Sequence, residues 1–309
     1  MTENLRRSPR LREGDLVRLV SPASFPDQAG VDECVATLES WGLRCDTGNH
    51  VFDRLGYMAG ADSDRLADLN DAFRDPDVRA VVTTRGGAGA YRIADDVDFA
   101  AVRSDPKPLV GFSDITSLHL SLFERCGVGG IHGCLSGGKA QASARRLLMT
   151  TEPTTLRRDA GFVSGAVQVD GDAHGRLIGG NLQMLANSVG VRMPSMDGAI
   201  LFLEYHRSGL GTIDRCLTQL MRSGALDGVV GVALGSFECG RGRVDRGWTV
   251  ADVLEDRLGS LGVPVLGGLY AGHDLVDENG DPDQCTLPLG ALATLSAGEG
   301  TLTVESIVC

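Results

Sequence analysis

The sequence predicts an α/β protein whose first half forms a parallel sheet and whose second half is richer in strands. Up to about residue 132, short apolar runs alternate with amphipathic stretches, and repeated β–α units imply a parallel sheet with ligands at the strand carboxyl ends. This alternation stops between about Met149 and Gly175, and the last strands are predicted to be short and antiparallel. We therefore predict a first domain over 1–150, a linker region over 151–175 and a second domain over 176–309.

The individual elements follow from the spacing of apolar residues. In the first half we expect strands at 16–22, 43–45, 78–84, 108–110 and 130–132, and helices at 31–41, 63–74 and 117–123. In the second half we expect helices at 181–189 and 212–222, and strands at 199–204, 229–237 and 263–269.

The composition is that of an ordinary globular chain. Of the 309 residues 42% are hydrophobic and 23% charged, which allows a sizeable core. The net charge of -12 argues against a nucleic-acid or membrane partner. The start shows no signal-peptide pattern, no apolar run is long enough for a membrane span, and the 8 cysteines form no C-x-x-C pair. We expect a cytoplasmic protein with reduced thiols.

A serine at a sharp strand-to-helix turn is the first candidate for chemistry. Gly111-Phe112-Ser113-Asp114 follows an apolar run and precedes the predicted helix over 117–123. The glycine permits the bend, and a helix N-terminus offers N–H groups to an oxyanion. The pattern is G-x-S-D rather than the G-x-S-x-G of α/β-hydrolases, and the alternative is that Ser113 or Asp114 only caps the helix.

Glu204 and His273 are candidates for the acid and the base that would assist such a serine. Glu204 ends the predicted strand over 199–204, where a carboxylate can orient a histidine or bind a metal; a solvated acid is the alternative. His273 follows an apolar run and two glycines, and a structural loop histidine is its alternative. His132 is the second choice for the base.

Two glycine-bearing turns suggest anion binding. Arg85-Gly86-Gly87-Ala88-Gly89 follows a strand and can present backbone N–H groups to an anion. It is not a dinucleotide motif, because Arg92 stands where the last glycine is needed. The stretch from Gly133 to Lys139 fits G-x-x-x-x-G-K, although Ala140 replaces the hydroxyl residue that binds magnesium. A P-loop ATPase is therefore an alternative of another class.

Taken together, these motifs resemble those of the LD-carboxypeptidase family of serine peptidases, which also includes the microcin C self-immunity peptidases. The similarity extends from Val20-Ser21-Pro22-Ala23 to the last strands. The motifs are Ala59-Gly60 with Asp62 and Arg65, Arg85-Gly86-Gly87-Ala88-Gly89, Gly111 to Thr116, Gly179-Gly180-Asn181-Leu182, Ile200 to Glu204, Ile213-Asp214-Arg215, and Gly272-His273 followed by Leu287-Pro288-Leu289-Gly290.

The resemblance implies a Ser-His-Glu triad, with Ser113 as nucleophile, Glu204 as acid and His273 as base. It also implies an oxyanion hole made by the backbone N–H groups of Asp114 and of the Gly86-Gly87 turn. The implied fold is an N-terminal flavodoxin-like domain followed by a β-rich, barrel-like α+β domain. No metal or cofactor is required by this chemistry.

The resemblance also implies a substrate. The leading expectation is hydrolysis of the L,D-amide bond before a terminal D-alanine in murein tetrapeptides released during cell-wall recycling. The alternative within the family is cleavage of the amide in a peptidyl- or aminoacyl-nucleotide antibiotic, and a non-catalytic binding module is an alternative of another class. Tyr205-His206 follows Glu204 where many members carry further acidic residues, which leaves the substrate open. We also expect a homodimer.

Overall fold

The computed structural model describes residues 5–206, 209–237 and 247–309, so that Cys239 lies outside the described residues. The chain divides into two compact units. Unit 1 comprises Met1–Glu152, Thr286–Gly290 and Ser306–Cys309, and unit 2 comprises Pro153–Cys285 and Ala291–Glu305.

The described strands and helices are the following. The strands are β1 Leu16–Val20, β2 Arg44–Thr47, β3 Val78–Thr83, β4 Leu109–Gly111, β5 Gly130–His132, β6 Thr154–Arg157, β7 Gln168–Val169, β8 Asp172–Asn181, β9 Ala199–Glu204, β10 Gly231–Leu234, β11 Val265–Leu266, β12 Leu287–Leu289, β13 Leu292–Ser296 and β14 Thr301–Val304. The helices are α1 Gln28–Ser40, α2 Asp62–Arg74, α3 Ala90–Ile93, α4 Phe99–Ser104, α5 Thr116–Cys126, α6 Gly138–Met149, α7 Leu182–Ser188, α8 Leu210–Arg222 and α9 Val250–Leu258.

The sheet of unit 1 has the strand order β12-β5-β4-β3-β1-β2. Its first five strands in the sequence are parallel to their neighbours, and β12 joins the edge antiparallel to β5. Without β12 this is the 2-1-3-4-5 order of flavodoxin-like folds, which confirms the predicted class. The neighbouring strands β3 and β4 end beside each other, so the turns that follow them lie at the same edge of the sheet.

The sheet of unit 2 is mixed, with the order β6-β14-β13-β8-β9-β10-β11-β7. Strands β8 to β11 are parallel to one another, and the remaining strands pair antiparallel at both sides. The predicted strand-rich α+β organisation is therefore confirmed. Among the described residues no ladder joins β6 to β7, so the barrel-like closure is not part of this pairing.

The close approach of β8 and β9 positions the acid of the candidate site. Gly179 pairs with Phe202, and two residues later Asn181 pairs with Glu204. A Cβ at Gly179 would come within 1.9 Å of the Phe202 carbonyl oxygen, and its φ is 152°. Only glycine fits this contact, and the ladder carries Asn181 to the side of Glu204.

The end of the chain contributes to both units. The buried strand β12 pairs with β5 in unit 1, whereas β13 and β14 belong to the sheet of unit 2. The predicted division put 176–309 in one domain and 151–175 in a linker region, although the latter contains β6 and β7. Long-range pairing of such short strands has no local sequence signal. No described helix is long and apolar enough to cross a membrane.

Candidate active site

Ser113 lies just after β4 in a backbone conformation that side chains rarely adopt. Its φ is 64°, and among the described non-glycine residues only Asp274, at 59°, is also positive. Ser113 begins a 3-10 turn that leads into α5, and the residues at the two cap positions, Phe112 and Ile115, make no side-chain capping bond. Ser113 is therefore not the helix cap. Strain of this kind concentrates at functional sites.

The glycine turn after β3 packs directly against Ser113. A Cβ at Gly86 would lie 2.8 Å from the Ser113 Cβ and 3.2 Å from its Oγ, so this approach requires glycine. Within the described chain the N–H groups of Gly86 and Gly87 donate to no carbonyl. The Asp114 N–H lies in the first turn of its helix, where no intrahelical acceptor exists. The three predicted oxyanion donors are thus in two turns that touch.

The carboxylate of Asp114 ties these two turns together. Its Oδ2 accepts a hydrogen bond from the Ala90 N–H at 2.7 Å, and the nearby Gly89 N–H also favours the ionised form of this carboxylate. Burial raises the pKa of Asp114 to about 6, against the opposing effect of these N–H groups and of Arg65. From the sequence, Asp114 was expected to give a backbone N–H to the oxyanion hole or to cap the helix. Its side-chain contact with the next turn was missed, although an acid beside the serine and a glycine turn on the next strand were its signal.

Arg65 supports the same glycine turn from α2. The fully buried guanidinium donates to the Pro22 carbonyl and to the Asp62 carboxylate. A Cβ at Gly89 would come within 2.8 Å of the Arg65 Nη1. Three of the motifs on which the resemblance depends therefore meet at one place in unit 1.

In unit 2, Glu204 and His273 form a hydrogen-bonded pair. Glu204 is fully buried, and its Oε2 lies 2.6 Å from His273 Nδ1 and 3.3 Å from the His273 backbone N. Its Oε1 accepts from the Asn181 side-chain amide at 3.1 Å. Because an ionised carboxylate only accepts hydrogen bonds, Nδ1 carries the proton and Nε2 is left as a proton acceptor.

Gly272 and Asn181 allow this pair to form. Gly272 has a φ of 112°, and a Cβ there would collide with the Glu204 Cβ at 2.7 Å and the Ser236 Oγ at 2.6 Å. Asn181 caps α7 by accepting from the Gln183 N–H with its Oδ1, while its amide nitrogen bonds Glu204. One side chain thus fixes both a helix start and the acid.

The other described histidines are placed differently. His119 is fully buried, its Nε2 lies 2.8 Å from the Gly111 carbonyl, and burial lowers its pKa to about 4. His132, the second choice for the base, is fully buried in β5 and packs edge-on against Phe112 with ring centroids 5.9 Å apart. The bond to a fully buried carboxylate therefore favours His273 as the base.

Two other features of unit 1 are the G-x-x-x-x-G-K stretch and a small cluster of possible metal-binding atoms. Gly133 to Lys139 follows β5 and runs into the first turn of α6, and Ala140 is fully buried. His50, Asp53 and Asp64 bring possible metal-binding atoms within 4.8 Å of one another, but these residues are partly or fully exposed. His50 Nδ1 is 2.8 Å from Asp53 Oδ2, so the imidazole already has a partner on that side.

Comparison with known proteins shows which family the chain resembles. Residues 17–133 match the LD-carboxypeptidase N-terminal domain and residues 174–295 match the LD-carboxypeptidase C-terminal domain. A putative carboxypeptidase of Streptomyces coelicolor is 39% identical over 97% of this chain and 96% of its own length. A probable murein peptide carboxypeptidase of Bacillus subtilis is 33% identical over 96% and 93%.

Solved structures share the fold of this chain. The MccF-like protein from Bacillus anthracis superposes with a TM-score of 0.83 at 24% identity, over 97% of this chain and 99% of that one. Muramoyltetrapeptide carboxypeptidase from Oxalobacter formigenes gives a TM-score of 0.81 at 25% identity, over 95% and 100%.

The fold, the serine turn and the family matches define a serine peptidase. The chain belongs to the LD-carboxypeptidase family. This confirms the resemblance drawn from the sequence, and it leaves the P-loop ATPase and the non-catalytic binding module without support.

The strain at Ser113 predicts that glycine at this position makes the protein more stable than alanine does. Ser113→Gly should have a free energy of unfolding about 1 kcal/mol higher than Ser113→Ala, because glycine adopts this φ without a Cβ clash. Urea unfolding of the two variants measures the difference, and neither variant carries the hydroxyl. Ala142→Gly in the exposed part of α6 is the control and should lose about 1 kcal/mol. Equal stabilities of the two Ser113 variants would contradict the strain.

The buried Asp114 predicts a pH-dependent stability. Its pKa is about 6 in the folded protein against an ordinary value of 3.8, so between these values the folded state holds the extra proton and stability falls as pH rises. From about pH 4 to 7 the free energy of unfolding of the wild type should fall relative to that of Asp114→Asn by about 2 kcal/mol. Unfolding curves of both proteins at each pH test this; a difference that does not change with pH would contradict it.

Proposed function

We propose that this chain is a serine carboxypeptidase that uses Ser113 as nucleophile, His273 as general base and Glu204 as the acid that orients the base. The observation that carries the proposal is the bond between the buried Glu204 carboxylate and His273 Nδ1, at 2.6 Å. It leaves His273 Nε2 free of its proton and so able to accept one. The nucleophile is supplied by unit 1, and the acid and the base by unit 2.

In the proposed reaction His273 Nε2 takes the proton of the Ser113 hydroxyl as Oγ attacks the scissile carbonyl. A serine hydroxyl is a weak nucleophile at neutral pH, so it needs this base. Glu204 stabilises the imidazolium that forms without taking the proton itself. The negative charge on the tetrahedral intermediate is met by the N–H groups of Asp114 and of the Gly86-Gly87 turn, each contributing about 3 kcal/mol if preorganised.

The second half of the reaction returns the enzyme to its starting state. The imidazolium gives its proton to the leaving amine, and the C–N bond breaks to leave an acyl ester on Ser113. Water then attacks the ester, with His273 again taking a proton and returning it to the Ser113 oxygen. Because proton transfer and oxyanion binding supply the chemistry, no metal or cofactor is required.

For the substrate we propose murein tetrapeptides, with release of a terminal D-alanine. The support is the name of the Bacillus subtilis relative, a probable murein peptide carboxypeptidase that is aligned over 96% of this chain, and that of the Oxalobacter formigenes muramoyltetrapeptide carboxypeptidase. The alternative is the amide of a peptidyl- or aminoacyl-nucleotide, as in the self-immunity peptidases of the family. We retain as predictions a cytoplasmic location and a homodimer. Light scattering of the purified protein would test the homodimer.

Hydrolysis assays with triad variants test the proposal. Ser113→Ala, His273→Ala and the double variant should each lose about 10⁴-fold or more of kcat, and by similar amounts, because the two residues act in one proton transfer. Glu204→Gln should lose less. Losses that add in the double variant would show that the two residues do not act together.

Two further histidine variants control this experiment. His174 is an exposed residue of β8, and His174→Ala should keep wild-type activity. His132→Gln should remain active provided that its circular dichroism shows a folded protein. An inactive, folded His132→Gln together with an active His273→Ala would show that the base is His132.

The same assay separates the two substrates. Each protein is given a murein tetrapeptide and, separately, an aminoacyl sulfamoyl-adenylate, and the released D-alanine or amino acid is measured. The proposal predicts a kcat/KM for the tetrapeptide that is higher by at least about 100-fold, a difference of roughly 2.7 kcal/mol in transition-state binding. A preference for the adenylate would assign the chain to the self-immunity type.

A further inference from the structure

A second imidazole–carboxylate pair lies against the first. The ring of His206 stacks on the ring of His273, with centroids 4.5 Å apart and an angle of 22° between the planes. The Nδ1 of His206 lies 2.7 Å from the Asp274 Oδ2. Nothing in the proposed reaction uses His206, so this contact calls for its own explanation.

The two pairs are built crosswise from two short segments. The segment that ends β9 supplies the carboxylate of Glu204 and the ring of His206, and the loop segment supplies the ring of His273 and the carboxylate of Asp274. Each carboxylate bonds the imidazole of the other segment. The loop that carries the base is thereby held to the end of β9 at two points.

The stack restrains a motion that the Glu204 bond leaves open. A hydrogen bond at Nδ1 fixes one edge of the His273 ring, yet the ring can still tilt about that contact. A parallel ring at 4.5 Å blocks the tilt on one face, and aromatic stacking of this kind is favourable. Proton transfer depends on such restraint, since a functional group must be held within about 10–20° of its productive orientation.

Asp274 keeps the stacking ring in place. The side chain of His206 is 36% exposed, whereas those of Asp274 and His273 are 19% and 13% exposed. A ring that is open to solvent on its outer side needs a tether, and the Asp274 carboxylate provides one. Asp274 itself is held at a φ of 59°, so the loop accepts backbone strain to present this carboxylate.

We propose that His206 is a positioning residue, which holds the imidazole of His273 in the plane from which Nε2 takes the serine proton. This inference rests on the proposed function, because it assigns His206 a role toward the proposed base. His206 itself exchanges no proton with the substrate in this role; its ring face acts on His273 and its Nδ1 acts on Asp274.

Three substitutions separate the ring from the hydrogen bond. His206→Phe keeps a ring that can stack but loses the bond to Asp274, His206→Gln keeps a donor for Asp274 but loses the ring, and His206→Ala loses both. We expect kcat to fall by about 10- to 100-fold in the Ala and Gln variants with KM changed less than about twofold, as for other residues that orient a catalytic group. His206→Phe should retain about a third or more of wild-type kcat. His174→Ala is the matched control and should show no change.

The outcomes decide between the alternatives. Wild-type kcat in His206→Ala would overturn the proposal, and so would an active Gln variant beside an inactive Phe variant, which would assign the effect to the hydrogen bond. A fall in affinity with unchanged kcat would also overturn it, because it would make His206 a substrate contact.

A second readout needs no substrate. In protein labelled with ¹⁵N-histidine, the ring signals of His273 should be sharp in the wild type and in His206→Phe, and broadened by motion in His206→Ala. Unchanged His273 signals in His206→Ala would overturn the positioning role. A wild type that hydrolyses neither test substrate would instead refute the proposed function, and the ring signals would still decide the role of His206.

Discussion

The hydrogen bond between Glu204 and His273 is the interaction on which the candidate acid and base of unit 2 depend. A carboxylate with no exposed surface is costly to bury unless its lone pairs are met by donors. Glu204 accepts from the His273 ring, from the His273 backbone and from Asn181. Gly179 lets β8 approach the Phe202 backbone, two residues before this acid, and Gly272 lets the loop approach the acid itself. These two glycines are therefore explained by close contacts at or near one carboxylate.

Unit 1 places the Ser113 hydroxyl beside free backbone N–H groups. Ser113 has a positive φ, and Gly86 lets the neighbouring turn pack against its side chain. The Asp114 carboxylate then accepts a hydrogen bond from the Ala90 N–H, which follows the glycine turn. The two described non-glycine residues with positive φ are Ser113 and the neighbour of His273, so backbone strain coincides with the residues proposed to react or to hold the base.

Much of the fold could be predicted from sequence because its signals are local. The apolar run of β9 and the amphipathic pattern of α2 have the lengths and spacings expected of such elements. Strand β8 was missed because Gly175, Gly179 and Gly180 give it little strand propensity. Gly175 and Gly179 are required by contacts with other segments, such as the Gly198 carbonyl, 2.2 Å from a Cβ at Gly175. Such contacts are invisible in a local pattern.

The same distinction holds for the candidate site. Ser113, Glu204 and His273 are marked by their positions at strand ends and beside glycines, which a sequence displays. The Asp114 side chain and the His206 ring act through contacts between separate segments, at 2.7 Å from the Ala90 N–H and 4.5 Å from the His273 ring. The acid beside Ser113 is a sequence signal for the first contact, whereas residue type gives no sign of the second, which had to be found in the structure.

The most direct measurement of the central claim is the rate at which a fluorophosphonate modifies Ser113 in the wild type and in Glu204→Gln, with the modified peptide identified by mass spectrometry. The Glu204–His273 bond activates Ser113 in this account, so the wild type should be labelled at Ser113 and the variant at least about 100-fold more slowly. Equal rates in the two proteins, or modification of another residue in the wild type, would contradict it.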